Sequence, residues 1–104
     1  TNIEVINSDA AITLAQFIKN GVKFDAAVID PPRKGSTEAA LNDLVHLTNK
    51  YIVYVSCNPS TLARDMNILI KNSFEPIYIQ PVDMFPHTYH IETIVLFEKQ
   101  KRSV

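Results

Sequence analysis

The chain has 104 residues, a formal net charge of -1 and 46% hydrophobic residues, enough to bury one core and without the charge excess of a nucleic-acid-coating surface. Its single cysteine excludes an internal disulfide and fits a reducing, cytoplasmic compartment. No apolar run approaches the ~20 residues of a membrane span and no secretory signal is visible; the sequence starts at Thr1 and is strand-like almost at once, which reads as a segment of something longer.

Strand and helix signals then alternate. Ile3 to Asn7 alternates apolar and polar residues. Ser8 or Asp9 can cap a helix whose Ala11, Leu14, Ala15 and Ile18 share a face, with Gly21 suited to a left-handed stop. Phe24 to Ile29 is an apolar strand ended by Asp30-Pro31-Pro32, since two prolines cannot continue a ladder. Ser36 or Thr37 caps the next helix, with Leu41, Leu44 and Val45 as its buried stripe. Tyr51 to Ser56 is a third strand, followed by Asn58 as cap, Pro59 at the first helical position, and Leu62, Met66, Leu69 and Ile70 facing inward. Ile77 to Val82 and Ile91 to Phe97 are also strands. Too little chain separates them for a crossover helix, so they pair as an antiparallel hairpin. The fold class expected is α/β: a mostly parallel sheet with an antiparallel strand at or near one side and helices on both faces.

This topology gathers chemistry at one edge. Parallel strands put Asp30, Cys57 and Asp83 at their carboxyl ends, and the reversed strand begins there with His90 to Glu92. Neighbouring strands lie ~5 Å apart, so a planar base could touch residues from two or three of them.

Each residue has a plain reading beside the functional one. A lone cysteine is commonly a small buried hydrophobe, but Cys57 stands at a strand end just ahead of a helix start, a position that favours a thiolate and hence a nucleophile. Asp30 to Gly35 is rich in ordinary turn residues. Functionally, its prolines stiffen a loop in which Asp30 accepts hydrogen bonds from a polar ligand and Arg33 supplies a cation. His87 and His90 are three apart, yet no cysteine or carboxylate spacing completes a zinc set, so no metal is expected. Glu92 is either an exposed strand-start carboxylate or a general base beside Cys57.

Three stretches together, Asp30-Pro31-Pro32-Arg33-Lys34-Gly35, Val53 to Thr61 around Ser56-Cys57-Asn58-Pro59, and Val82 to Glu92 around Asp83-Met84-Phe85-Pro86-His87, resemble the signatures of the S-adenosylmethionine-dependent RNA uracil-5 methyltransferases, in the family's order. The resemblance implies a Rossmann-like methyltransferase fold, with residues 1–104 as the carboxyl-terminal half of its catalytic domain. It implies Cys57 as nucleophile and Glu92 as base, Asp30 at the cofactor and uracil, Arg33 at the uracil, and Asp9 at the cofactor's adenine. Phe85 or His87 would stack on the unstacked target base or its neighbour. The reaction explains the residue types: uracil C5 is too weak a nucleophile until a thiolate adds to C6, and the C5 proton must then leave by way of a carboxylate.

The family's glycine-rich cofactor turn is not in this stretch, which holds only Gly21 and Gly35, nor is an OB-type RNA-binding domain. Any iron–sulfur cluster would also be held elsewhere. The stretch alone is therefore expected to be inactive and to bind S-adenosylmethionine weakly. Two strands that the family's fold places between Ile3–Asn7 and Phe24–Asp30 are missing, so those strands should pair with each other or with a second copy. RNA is the partner implied, ribosomal ahead of transfer RNA, and no membrane. The rival readings are a non-catalytic RNA-binding or scaffold module, a nucleic-acid amino-methyltransferase, disfavoured by Arg33 and Cys57, and a thiol hydrolase.

Overall fold

The computed structural model describes residues 3–6, 11–31, 36–82 and 92–100. They form β1 (Ile3–Ile6), α1 (Ala11–Lys19), β2 (Phe24–Ile29), α2 (Glu38–Leu47), β3 (Thr48–Ser56), α3 (Pro59–Lys71), β4 (Phe74–Val82) and β5 (Glu92–Lys99). One sheet contains all five strands in the order β1-β2-β3-β5-β4. β1, β2 and β3 pair in parallel, while β5 pairs antiparallel with both β3 and β4. Four strands thus run one way, but the reversed strand lies one in from the edge, so half of the pairings are antiparallel. A mostly parallel sheet describes the strand directions and not the ladders. β1 and β2 pair directly, Ile3 with Ala26 through Ile6 with Ile29.

The α/β class stands, and the placement of the helices is corrected. α1 packs on α2 and α2 on α3, so all three share one face and not two. The strand order explains why. β1, β2 and β3 advance in one direction across the sheet, and right-handed crossovers then fall on the same side each time. β3 shows the consequence in its alternation: Ile52, Tyr54 and Ser56 are buried, and Tyr51, Val53 and Val55 between them are less so. Leu14, Leu41, Leu44, Leu62 and Leu69 from the helices meet Phe24, Ala27, Ile52, Tyr54, Val95 and Phe97 from the sheet in one core. Phe17 and Phe24 meet edge to face at 5.3 Å between ring centroids.

The helix ends follow their sequence signals. Gly21 has φ +72°, its N–H donates to Ile18 and that of Val22 donates to Phe17, closing α1 with a left-handed cap. Thr37, not Ser36, caps α2, accepting from the Ala40 N–H. The Ser8 or Asp9 cap lies outside the described residues.

Two strands start earlier than their apolar runs. Thr48 is at once the cap of α2 and the first residue of β3, its hydroxyl donating to the Leu44 carbonyl at 2.7 Å, so no loop intervenes. β4 runs through Pro76, which an edge strand tolerates, with a register irregularity between Pro76 and Tyr78. Among the described residues no helix is long and apolar enough to cross a membrane.

Candidate active site

Cys57 follows the last residue of β3 and is a free, exposed thiol. Its turn is fixed from both sides. The buried Ser56 hydroxyl donates to the Asn58 carbonyl at 3.0 Å and accepts from the Asn58 N–H at 3.1 Å. Asn58 is in turn the cap of α3: its side chain accepts from the Ser60 N–H at 3.0 Å, and its carbonyl accepts from the Thr61 hydroxyl and the Leu62 N–H. Pro59 opens the helix with a preset φ, so local chemistry shapes the turn that carries the thiol between strand end and helix start.

Strand order decides its neighbours. β3 lies between β2 and β5. Asp30 is exposed at the carboxyl end of β2, one step past the Ile29–Tyr54 pair, with Pro31 buried behind it. On the other side Ser56 pairs with Thr93. Cys57, the residue after Ser56, and Glu92, the residue before Thr93, therefore lie at the same edge of neighbouring strands. Glu92 also pairs with Val82, which brings the end of β4 to the same edge. Among the described residues Asp30, Cys57 and Glu92 thus share one edge of three adjacent strands. Asp9, Arg33, Phe85, His87 and His90 lie outside the described residues.

A buried polar group beneath this edge has no counterpart in the motifs. Asp65 on α3 is fully buried and accepts from the Tyr54 hydroxyl at 2.5 Å and the Ser36 N–H at 3.1 Å through Oδ2, and from Arg64 at 3.3 Å through Oδ1. Burial, and after it the hydrogen bond to Asp65 and that residue's charge, push the Tyr54 phenol well above its ordinary range. The sequence carried a sign of this. Asp65 lies three residues after Leu62 and four before Leu69, on the apolar stripe, where a carboxylate needs buried partners. Ile70, expected inside, is 38% exposed.

A large open groove of about 1310 Å³ lies at the other end of the strands, lined by Lys23, His46, Lys50, Asn72 and Lys99 among others. It contains no thiol and lies away from the carboxyl ends of the parallel strands, where α/β sheets perform chemistry.

The model of the tRNA (uracil-5-)-methyltransferase family matches residues 7–100. An uncharacterized RNA methyltransferase of Bacillus cereus is 45% identical over 98% of this chain and 22% of its own length; one of Listeria monocytogenes is 48% identical over 82% and 18%. The chain spans about a fifth of the length of these curated relatives. Among solved structures, the Pyrococcus abyssi tRNA (uracil-54, C5)-methyltransferase in complex with S-adenosyl-L-homocysteine superposes with a TM-score of 0.64 at 30% identity, over 92% of this chain and 28% of that one. The Synechocystis magnesium protoporphyrin IX methyltransferase with bound S-adenosylmethionine, at TM-score 0.60 and 14% identity over 84% and 43%, shares the fold alone. The sheet with its reversed β5 is that of the Rossmann-like methyltransferases, and the chain belongs to the tRNA (uracil-5-)-methyltransferase family.

Proposed function

We propose that this chain is the carboxyl-terminal half of the catalytic domain of an S-adenosylmethionine-dependent RNA uracil-5 methyltransferase acting in the cytoplasm. The observation that supports the reading is the strand arrangement: a free thiol follows the end of β3, and a carboxylate starts the neighbouring β5 at the same edge of the sheet. In this reading the Cys57 sulfur bonds to uracil C6 and the C5–C6 π pair moves toward C5, making C5 the nucleophile. Glu92 takes the C5 proton once C5 carries its methyl group, and the electron pair so released re-forms the C5–C6 double bond and expels the thiolate.

S-adenosylmethionine supplies an electrophilic methyl group when bound. The carboxyl edge suits such a ligand, since Asp30 offers an exposed acceptor there, followed by the buried Pro31. Asp30 and Asp9 are assigned to cofactor binding, and Asp30, Arg33, Phe85 and His87 to the uracil and its neighbours. The choice of ribosomal or transfer RNA is assigned to domains outside this chain.

The test uses the full-length protein and RNA containing 5-fluorouracil, whose C5 fluorine cannot leave as a proton, so that the thiol stays bonded to C6. With S-adenosylmethionine present, the wild type should give a protein–RNA band that survives denaturing electrophoresis, and Cys57→Ala should give none. A band with Cys57→Ala, or none with the wild type, refutes the assignment. A thiol hydrolase would instead turn over esters without RNA.

A further inference from the structure

Resting on the reading of Cys57 as nucleophile, we infer that Asp65 is a positioning residue that holds the Cys57 turn against the Asp30 strand end. The carboxylate joins three pieces of chain. Tyr54, 1% exposed, lies three residues before Cys57 and pairs in register with Ile29, the residue before Asp30. Its hydroxyl donates to Asp65 Oδ2 at 2.5 Å. The same oxygen accepts from the N–H of Ser36, just ahead of the Thr37 cap of α2, at 3.1 Å. Asp65 itself sits on α3, the helix that starts immediately after the Cys57–Asn58 turn. Arg64 closes the arrangement, donating to Asp65 Oδ1 at 3.3 Å and to the Ser36 carbonyl at 3.0 Å.

Stability alone is a poor reason for this group. A buried carboxylate bears a desolvation cost, and an apolar residue at the same place on the stripe commonly does as well or better for stability. What an apolar residue lacks is direction. The carboxylate fixes the far end of Tyr54, the amide of Ser36 and the roll of α3 about its axis together, so the thiol just ahead of α3 and the acidic strand end on the neighbouring strand keep one separation.

The experiment compares full-length wild type, Asp65→Asn and Tyr54→Phe in single-turnover adduct formation with 5-fluorouracil-containing RNA at saturation, scaled to the folded fraction. Asp65→Asn should slow the adduct by about tenfold and Tyr54→Phe by about threefold, with the Kd for RNA held within about twofold, since misplacement by fractions of an ångström taxes the reaction and not the encounter. A brace that serves folding only would lower the melting temperature and leave the scaled rate unchanged; that result overturns the inference. If Asp65→Asn does not fold, Tyr54→Phe, which deletes one hydroxyl, decides by the same criterion. Should the wild type itself form no adduct, the uracil reading falls. The rate of Cys57 alkylation by iodoacetamide and hydrogen exchange at the Ser36 amide then decide the positioning role. Changes in both variants support it, and wild-type values in both overturn it.

Discussion

Replacing Glu92 by Gln in the full-length protein separates the two halves of the proposed chemistry. Glu92 begins β5, where its backbone is held by the pairing with Val82 and by the Thr93–Ser56 pair that follows, and the substitution changes no volume. The strand therefore keeps its place and only proton acceptance is lost. A positioned general base is worth about 10²–10⁴ in rate, or roughly 3 to 5 kcal/mol of barrier. That loss falls after the sulfur has bonded to C6, so the methylated RNA should accumulate on the protein as a band resistant to denaturing electrophoresis, even with ordinary uridine. RNA tritiated at uridine C5 gives the rate directly: Glu92→Gln should take up methyl groups while releasing tritium about 10²–10⁴ times more slowly. Wild-type tritium release would refute Glu92 as the base. A covalent band with Cys57→Ala would refute the thiol's role and with it the order of events.

Three further outcomes follow from the same structure. Asn58→Ala removes the acceptor of the Ser60 N–H at the start of α3 and should cost about 1 kcal/mol in chemical denaturation; an unchanged midpoint means that the cap is not formed in solution. The buried Tyr54 phenol keeps its proton in the folded protein at pH values where an unfolded phenol, with pKa about 10, has lost it. Its contribution to stability is therefore complete below pH ~10 and falls by up to about 1.4 kcal/mol per pH unit above it. Denaturation midpoints between pH ~9 and ~11 should fall more steeply in the wild type than in Tyr54→Phe, and equal slopes refute the burial argument. The 104-residue chain on its own should bind S-adenosylmethionine weakly or not at all and be inactive. Micromolar affinity by calorimetry would show that the cofactor contacts are complete within it.

The elements were legible where periodicity and punctuation agree. Gly21 at a left-handed stop, the polar cap before Glu38, and Asn58-Pro59 before Leu62 each specify a helix end through one local hydrogen bond or one preset φ. Boundaries were lost where tertiary pairing overrides local preference. Thr48-Asn49-Lys50 has no apolar run, yet extends β3 because Thr48 closes α2 without a loop; Pro76 reads as a stop, yet is carried by an edge strand. Helix placement was missed for a different reason. Which face a helix covers depends on the direction in which strands are added, and the order β1-β2-β3-β5-β4 is not written in any one segment. At the site, Asp30, Cys57 and Glu92 were visible because each ends or begins a strand. Asp65 was obscured by reading its stripe through Leu62, Met66, Leu69 and Ile70 while passing over the one acid among them.

The insertion of β5 between β3 and β4 is what puts the Cys57 thiol and the Glu92 carboxylate on neighbouring strands. Had the sheet continued in chain order, β4 would lie beside β3 and β5 outside it, and Glu92 would stand two strand spacings from Cys57, about 10 Å away. In the proposed reaction, a uracil ring bonded through C6 to the sulfur carries its C5 proton within one spacing of that sulfur, so a base at two spacings could not reach it. Antiparallel pairing supplies the second requirement. Because β5 runs backwards, its first residue, and not its last, lies at the carboxyl edge of β3, so Glu92 starts at the edge that Cys57 follows while Lys99 is carried to the far end of the sheet beside Phe74. A hairpin that crosses back into the sheet thus brings residues 57 and 92 to one edge of neighbouring strands, just past the Ser56–Thr93 pair, which neither a parallel β5 nor an outer β5 would achieve.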